Sequence, residues 1–377
     1  MLIVACISAH GYGHGSRSAA VLSALAARQP AWRLIMSSAL PRSFLQLALG
    51  PVPFDHRPCQ WDVGVIQADA LGSDPAATLT ALEALESRLP AQIETEAAWI
   101  EAQRSSPDEP VLVLGDVPPA AAQLARRLGS PLVWLASFGW EAIYGPMGPA
   151  FTRWAEAALA AYRQGQLLIH CPLAMPMAWG IPEVGVGLTA SRPRLAAEAL
   201  ARLARELALP ESRAAASPTS DPAAVDRDRC VLISFGGMGL DLAAAPLGRW
   251  PDHVFIGPDA ALACHPNGRM LPEGLRPLDL MPLCGRLITK PGYSSFCEAL
   301  SQNVGIHLVQ RDGFAEAAVL QNDLQNHGRH RLLSREAFVS GDWQLDQPLL
   351  PPRLGPLPAA GSEQAAEAIE ALALAQG

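Results

Sequence analysis

Short apolar runs alternate along the chain with longer segments in which apolar positions recur at helical spacing. The first unit of this kind comprises a strand, a helix and a second strand, at Leu2–Ser8, Arg17–Arg28 and Arg33–Ser38. The same pattern returns at Val111–Gly115, Pro119–Leu128 and Pro131–Ser137. Repeated strand–helix–strand units favour a parallel sheet with right-handed crossovers.

The pattern resumes in the second half, after a stretch rich in Ala, Ser, Pro and Asp at Arg213–Asp226 that predicts a solvated loop. Four short apolar runs follow, at Cys230–Phe235, His253–Gly257, Leu287–Thr289 and Val304–Val309. Such runs are typical of buried parallel strands. We therefore predict an α/β chain of two Rossmann-like, doubly wound domains at 1–188 and 189–361. A C-terminal helix at 362–377 follows, and packing back on the first domain is one option for it.

Length and composition agree with two folded domains. A chain of 377 residues exceeds the roughly 250–300 residues that one hydrophobic core organises. Half of the residues are hydrophobic and only 17% are charged, which excludes a disordered protein. The formal charge of −8 comes from 36 acidic and 28 basic residues, without a run of Lys or Arg, and this argues against a nucleic-acid partner.

Cysteine usage and hydropathy predict a cytoplasmic protein. The seven cysteines are scattered and form no CxxC pair, so neither a disulfide framework nor a zinc knuckle is expected. The apolar N-terminal run is typical of a first strand rather than of a signal peptide. A transmembrane helix needs about 18 consecutive apolar residues, and a proline or a charged residue interrupts every apolar run before it reaches that length. We expect no transmembrane segment, and peripheral membrane contact stays open.

A glycine-rich turn follows the first strand of the second half. Gly236, Gly237, Met238 and Gly239 stand directly after Cys230–Phe235. Without Cβ atoms, backbone N–H groups in such a turn can approach an anion, and the following helix terminus adds partial positive charge. A diphosphate suits this turn. The structural alternative is a tight turn between a strand and a helix, in which glycine supplies positive φ.

A second nucleotide signal follows a later strand. Gly292 turns the chain, so that Tyr293, Ser294 and Ser295 fall at a helix N-terminus, where hydroxyl and N–H groups can meet phosphate. Glu298 lies one turn into this helix. Its carboxylate can accept hydrogen bonds from the two hydroxyls of a ribose. The alternative is a favourable negative charge near the positive end of the helix.

These two segments resemble the donor domain of the peptidoglycan N-acetylglucosaminyltransferase and the plastid galactolipid synthases, which use UDP-sugars. The match rests on the glycine-rich turn and on Gly292, Ser294 and Glu298. The resemblance implies that Glu298 holds the ribose and that Asp312 and Glu316 lie in the loop that contacts the sugar. The paired glutamines of the peptidoglycan enzyme are not reproduced in that loop, so the donor sugar stays open.

Four segments of the first half resemble the N-terminal glycosyltransferase-like region of plant L-arabinokinases and its free-standing bacterial relatives. They occur in the same order, at 10–17, 62–71, 115–118 and 137–144. The resemblance implies a GT-B fold, in which two Rossmann-like domains face an interdomain cleft. The sugar-kinase domain of the plant proteins is not part of the match, so kinase activity is not implied.

His14 and Asp116 are the candidate catalytic residues. His14 follows the first strand, which places its imidazole at the carboxyl edge of the sheet, and transfer to a hydroxyl needs a base that titrates near neutral pH. Asp116 ends another strand at that edge and can orient His14, bind an acceptor hydroxyl or act as the base. The structural alternatives are a turn-capping His14 and an Asp116 that caps the helix after Pro118.

Further residues of these motifs are candidates for binding the acceptor: Gly13, Arg17, Asp62, Gln67, Asp69, Trp140 and Glu141. Arg17 can contact the acceptor or phosphate, and a solvated arginine is the alternative. The three polar residues between 62 and 69 interrupt an apolar stretch and either line a pocket or form a structured turn. Trp140 with Glu141 offers an aromatic surface and an acid to a sugar face, with core packing as the alternative.

The sequence predicts no metal and no other cofactor, because no Asp-x-Asp follows a strand and no His/Cys set has zinc spacing. Helix dipoles and hydroxyls then stabilise the leaving UDP. We predict an inverting glycosyltransferase that moves a sugar from a nucleotide-diphospho-sugar, with UDP as the expected nucleotide, to an acceptor hydroxyl. A UDP-sugar 2-epimerase on the same fold and a non-catalytic nucleotide-sugar-binding protein are the alternatives.

Overall fold

The computed structural model describes residues 1–66, 73–212, 225–236, 245–310 and 315–375. The chain forms two compact units. Unit 1 comprises Met1–Ala190, Asp312–Val319 and Pro358–Gly377, and unit 2 comprises Ser191–Arg311 and Leu320–Leu357. Most of the predicted solvated loop, residues 213–224, lies outside the described residues.

Unit 1 contains a seven-stranded parallel sheet within the described ranges. Its strands are β1 (Leu2–Ile7), β2 (Arg33–Ser37), β3 (Asp55–Arg57), β4 (Val111–Asp116), β5 (Leu132–Ala136), β6 (Leu167–His170) and β7 (Glu183–Gly185). The helices between them are α1 (Tyr12–Arg28), α2 (Arg42–Leu49), α3 (Pro75–Gln103), α4 (Ala120–Leu128), α5 (Trp140–Tyr144) and α6 (Thr152–Tyr162). The strand order is β3-β2-β1-β4-β5-β6-β7, so the direction of winding reverses between β1 and β4.

The central strands form because their residues are apolar on both faces, as a sheet covered by helices on both sides requires. Every residue of β1 is buried, and β4 pairs with it so that Cys6 lies opposite Gly115 and Ile7 opposite Asp116. The outer strand β3 is polar and partly exposed, in keeping with its place at the sheet edge. A buried aspartate therefore stands at the carboxyl end of an otherwise apolar central strand.

Helix α1 begins at Tyr12 rather than at the predicted Arg17, so the glycine-rich segment forms its first turns. Gly11 is the N-cap in extended backbone. Gly15 permits the close approach of the neighbouring chain, because a Cβ there would lie 2.6 Å from a ring carbon of Phe44 and 2.7 Å from Leu40. Gly15 thus serves packing within a helix, and His14 is a helical residue in the first turn of α1.

Unit 2 contains a six-stranded parallel sheet among its described residues. Its elements in chain order are α7 (Ala197–Glu206), β8 (Cys230–Ile233), β9 (Val254–Gly257), β10 (Gly268–Met270), α8 (Pro277–Leu280), β11 (Arg286–Thr289), α9 (Tyr293–Ser301), β12 (Gly305–Val309), α10 (Ala315–His327), β13 (His330–Leu333) and α11 (Arg335–Ser340). Residues 315–319 of α10 belong to unit 1, and the rest of the helix belongs to unit 2. The strand order β10-β9-β8-β11-β12-β13 reverses between β8 and β11. Each unit is therefore a doubly wound sheet with one switch point.

The C-terminal helix α12 (Gly361–Ala375) packs along α1 of unit 1. Arg28 donates to Glu370 at 2.6 Å, and Gln29 bonds to the other oxygen of the same carboxylate. The start of α12 lies against the backbone of Gly187, where a Cβ on Gly361 would approach the carbonyl oxygen to 2.0 Å. The last helix is therefore part of unit 1, although the chain reaches it only after completing unit 2.

Candidate active site

The switch point of unit 1 brings together three residues of α1 and one of β4. His14, Arg17 and Ser18 are spaced i, i+3 and i+4, so they lie on one face of the helix. All three side chains bond to the Asp116 carboxylate at the end of β4. In doubly wound sheets, ligands bind outside the carboxyl ends of the strands at this reversal. The predicted catalytic pair therefore stands where the fold places its ligand sites.

His14 and Asp116 form a close pair, with Nδ1 of the imidazole 2.8 Å from Oδ1 of the carboxylate. The His14 side chain is 10% exposed and Asp116 is fully buried. An ionised carboxylate can only accept a hydrogen bond, so Nδ1 carries the proton of the neutral ring. The other ring nitrogen, Nε2, is then the proton acceptor. The geometry matches a general base oriented by a carboxylate.

Neighbouring side chains stabilise the negative charge of Asp116. Burial by itself raises the pKa of a carboxyl group, but the positive charge of Arg17 and the bond from His14 outweigh this effect and lower the pKa of Asp116 to about 2. Ser18 adds a hydroxyl donor at 2.7 Å from Oδ2. Asp116 is therefore ionised throughout the neutral pH range.

The backbone beside Asp116 is strained. Val117 has φ of 66°, which is uncommon for any residue other than glycine and rarer still for a β-branched one. The buried hydroxyl of Tyr162 donates to the Val117 carbonyl at 2.8 Å and holds this conformation. Such strain costs on the order of 1–3 kcal/mol and often marks functional sites. The helix-capping alternative does not apply to Asp116, because Pro119 is the N-cap of α4 and no side chain caps that helix.

Arg17 has a different environment from the one the sequence suggested. It is only 2% exposed. Its guanidinium bonds to Asp116, to the Ser137 hydroxyl at 2.8 Å and to the Leu135 carbonyl at 3.4 Å. A solvated arginine is excluded, and direct contact with an acceptor or phosphate does not fit a side chain this deeply enclosed. The sequence could not show this, because the partners lie on β4 and after β5.

Trp140 is a core residue rather than an exposed surface for a sugar, because it is fully buried. Its ring meets the Phe138 ring edge-on at 5.2 Å and stacks on Tyr144 at 5.4 Å. Its Nε1 donates to the Asp62 carboxylate at 2.9 Å. Asp62 is itself 5% exposed, and burial raises the pKa of its carboxyl group. Hydrogen bonds from Ser8 and Trp140 lower this pKa and offset part of the effect. Both residues therefore build the wall beside the His14–Asp116 pair.

The other residues predicted to bind the acceptor differ in their surroundings, and two of them lie outside the described residues. Glu141 is half-buried, accepts from Trp179 Nε1 at 2.6 Å and folds back over Gly139, and burial raises its pKa. Gly13 lies in the first turn of α1, one residue before His14. Gln67 and Asp69 lie outside the described residues. Of this group, only Gly13 adjoins the catalytic pair directly in the chain.

An apolar cavity opens in unit 1 beside this wall. It has a volume of about 160 Å³. Trp61, Asp62 and Trp140 form one side, and residues of α3, α4 and α6 form most of the rest. Among the latter is Trp154, whose buried Nε1 has no hydrogen-bond partner in the described part of the chain. A cavity of this size accommodates about one benzene-sized apolar ring.

The switch point of unit 2 carries the nucleotide motifs. Gly236 follows β8 and has φ of 69°, a conformation that favours glycine, and Gly237, Met238 and Gly239 lie outside the described residues. On the other side of the reversal, Gly292 is the N-cap of the nine-residue helix α9. Gly292 has no side chain with which to cap the helix, so an anion is a natural capping group there.

Residues of α9 present polar groups near this helix start. Tyr293 and Ser294 are buried in the first turn, and Ser295 is partly exposed. Glu298 is partly exposed and lies one turn beyond Ser294, on the same face. Its carboxylate makes no hydrogen bond to any described residue. Loss of hydration raises the pKa of Glu298 to about 7. The positive charge of Arg276 lowers this pKa, and the negative charge of Asp279 raises it.

Glu316 belongs to a different unit from these donor-side residues. It is 7% exposed, stands in the first turn of α10 and belongs to the 312–319 segment of unit 1. The flanking Ala315 and Val319 pack against the core of that unit. Asp312 lies outside the described residues. The predicted sugar-contacting loop is therefore described only from Ala315 onward, and Glu316 stays a prediction.

Two residues of the site were missed by sequence reasoning. Ser18 bonds to Asp116, and Ser137 bonds to Arg17. Ser18 was accessible from spacing, because it stands at i+4 from His14 on a predicted helix. Ser137 is the first residue of the 137–144 segment, but its spacing in the sequence does not predict a contact with Arg17.

The described ranges contain neither a candidate metal-binding cluster nor a candidate membrane-spanning helix. No group of three or more His, Cys, Asp or Glu side chains in these ranges is arranged to hold a metal ion. Within the same ranges, no helix combines the length and the apolar character needed to cross a bilayer.

Comparison with solved structures identifies the architecture. Arabidopsis thaliana UGT89C1 complexed with UDP-L-rhamnose superposes with a TM-score of 0.62 at 12% identity, covering 99% of this chain and 98% of that one. A UDP-glucosyltransferase from Polygonum tinctorium capable of glucosylating indoxyl gives a TM-score of 0.57 at 13% identity, covering 99% and 93%. The fold is GT-B. At these identities the likeness shows the fold alone.

Sequence comparison gives a relative that matches most of the chain. L-arabinokinase of Arabidopsis thaliana is 24% identical over 354 residues, which is 89% of this chain. The match spans 31% of the length of that protein. No family model matches the chain. The similarity to L-arabinokinase agrees with the motif resemblance, and the likeness to galactolipid synthases stays a prediction.

Proposed function

We propose that the protein is a glycosyltransferase that moves a sugar from a UDP-sugar to an acceptor hydroxyl, with inversion at the sugar carbon and without a metal ion. The fold by itself does not decide function, because one fold hosts many chemistries. The observation that carries the proposal is the His14–Asp116 pair at the switch point of unit 1. A binding protein has no need of a base oriented by a buried carboxylate.

The chemistry assigned to the pair is proton removal. His14 Nε2 takes the proton of the acceptor hydroxyl as the oxygen attacks the anomeric carbon, and the sugar–phosphate bond breaks with UDP as the leaving group. Asp116 stabilises the imidazolium that forms. Attack from the face opposite the leaving group inverts the anomeric configuration.

The donor assignment rests on unit 2. The N-terminus of α9 offers N–H groups and helix-dipole charge to a diphosphate, and this replaces a cation at the leaving group. Glu298 has an unsatisfied carboxylate one turn further on and suits the two hydroxyls of the ribose. UDP or a UDP-sugar is bound in several solved structures of the same fold, among them UGT89C1 with UDP and UGT89C1 with UDP-L-rhamnose.

The cavity of unit 1 supports an acceptor with an apolar ring. It shares Asp62 and Trp140 with the wall of the catalytic pair, and its lining is otherwise mainly apolar. A panel of simple aromatic alcohols is therefore the appropriate first set of acceptors.

One assay separates the proposal from its alternatives. UDP-glucose and UDP-L-rhamnose are incubated with the protein, with and without the aromatic alcohols, and followed by NMR. A transferase releases UDP only with an acceptor and yields a glycoside, while an epimerase converts the nucleotide sugar alone. Binding without any conversion under all conditions would leave a nucleotide-sugar-binding protein and overturn the proposal. Addition of EDTA is expected to leave the transfer rate unchanged.

The pKa of Glu298 predicts how donor binding depends on pH. Because this pKa is raised to about 7, the carboxylate takes up a proton as the pH falls through 7 and loses part of its capacity to accept ribose hydroxyls. Affinity for UDP-glucose is expected to fall about tenfold between pH 8 and pH 5.5. The diphosphate diester does not titrate in this range. Calorimetry of Glu298→Gln should show weaker binding with no such pH dependence, and an equal slope in both proteins would refute the assignment.

A further inference from the structure

Arg17 is enclosed in unit 1, and its guanidinium bonds to the Asp116 carboxylate, the Ser137 hydroxyl and the Leu135 carbonyl. Its Nε donates to Asp116 Oδ2 at 3.1 Å, and its Nη2 pairs with Oδ1 of the same carboxylate. Its Nη1 donates to the Ser137 hydroxyl at 2.8 Å. Every nitrogen of the fork therefore bonds to the protein, and the side chain is only 2% exposed.

This arrangement fixes the plane of the Asp116 carboxylate independently of His14. A guanidinium is planar, and its donors hold a rigid geometry, so contact with both oxygens sets the orientation of the carboxylate. Ser137 anchors the far side of the fork. Oδ1 is then presented to His14 Nδ1 at 2.8 Å whether or not the ring carries a second proton. A lysine, with a single ammonium group, cannot reproduce this geometry.

Arg17 also lies against the imidazole itself. Its Nη2 is 3.4 Å from His14 Nδ1. The ring therefore stands beside a buried ion pair, Arg17 with Asp116, and not beside a single carboxylate.

We propose that Arg17 is a positioning residue: it clamps Asp116 in the orientation that receives the Nδ1 proton of His14 and so keeps Nε2 as the proton acceptor. The role in transfer rests on the proposed function, whereas the effect on the ring is a property of unit 1 alone. The two can therefore be tested separately.

The test compares Arg17→Lys and Arg17→Met with Arg57→Lys as a matched control. Arg57 also bonds to both oxygens of a carboxylate in unit 1, that of Glu96, at 2.8 Å each. The ring nitrogens are observed in long-range ¹H–¹⁵N spectra of the full chain, with the His14 signals identified by their loss in His14→Gln. The kcat and the KM for the donor are measured on the same proteins.

The wild type is expected to show His14 in the Nδ1–H form, and Arg17→Lys a mixture of tautomers. The kcat of Arg17→Lys should fall about 30- to 100-fold with little change in the KM for the donor. Arg17→Met removes the whole fork of donors, so it should show the same mixture of tautomers and a fall in kcat at least as large. Arg57→Lys should match the wild type in every one of these readouts.

Wild-type ring signals and a wild-type kcat in Arg17→Lys would overturn the inference and leave Arg17 as a packing residue. If Arg17→Met does not fold, Arg17→Lys decides the question, because it keeps the charge and most of the volume. If no acceptor is ever glycosylated, the ring spectra still give the result. Failure of the proposed function is thus distinguishable from failure of the role of Arg17.

Discussion

Replacing His14 with alanine is expected to lower the rate of glycosyl transfer by about 10³-fold, within the range typical of a lost general base. The affinity for UDP should be unchanged, because the residue lies in unit 1 and the nucleotide is assigned to unit 2. The measurements are kcat from UDP release in the presence of an acceptor, and the dissociation constant for UDP from calorimetry.

His170→Ala provides the matched control. His170 also ends a strand of the unit 1 sheet, at the carboxyl end of β6, and its side chain is partly exposed beside Glu183. It should keep the wild-type kcat within about threefold, as distant surface changes usually do. Equal transfer rates in His14→Ala and His170→Ala would remove His14 from the mechanism and reopen the binding-protein reading.

Replacing Asp116 with asparagine is expected to affect both catalysis and stability. The amide can present its NH₂ group to the ring and select the wrong tautomer, and we expect kcat to fall by about 10³- to 10⁴-fold. Removing one partner of a buried ion pair also leaves the Arg17 charge uncompensated, which costs about 3–5 kcal/mol in the free energy of unfolding. Urea unfolding and steady-state kinetics measure the two effects.

The pH dependence of stability provides a further check on this carboxylate. The pKa of Asp116 is lowered from its ordinary 3.8 to about 2, so its ionisation stabilises the folded state above pH 3.8. This contribution is lost as the pH falls from 3.8 toward 2, and Asp116→Asn should lack this part of the acid sensitivity. Glu96→Gln, which breaks the Arg57 pair, is the control that should lose stability but keep kcat. Loss of kcat in Glu96→Gln equal to that in Asp116→Asn would attribute the effect to folding.

The fold was largely predictable because the central strands are uniformly apolar and the helices between them are periodic. The predicted strand Cys230–Phe235 corresponds to β8 at Cys230–Ile233, and Val304–Val309 corresponds to β12 at Gly305–Val309. Strand β3 was missed because Asp55–Arg57 is polar and lies at the sheet edge, where no apolar run is needed. The start of α1 was placed too late, because glycines that serve close packing resemble glycines of a turn.

The candidate catalytic pair was accessible from sequence for a topological reason. His14 and Asp116 are 102 positions apart, yet each follows a predicted parallel strand, and the carboxyl ends of such strands share one edge. The environments of Arg17 and Trp140 were not accessible, because they depend on contacts with Ser137 and Asp62 from other elements. Burial of a polar or aromatic side chain at a sheet edge is a tertiary property that local spacing does not specify.

The most direct test of the account is calorimetric titration of UDP into the wild-type protein and Glu298→Ala at pH 8, with Glu273→Ala as an exposed-carboxylate control from unit 2. Two charge-assisted hydrogen bonds to the ribose are removed, so affinity should fall about 30-fold or more in Glu298→Ala and stay unchanged in Glu273→Ala. The account predicts one UDP bound per chain with a dissociation constant of roughly micromolar order. No heat of binding at millimolar UDP, or equal affinities in wild type and Glu298→Ala, would contradict it.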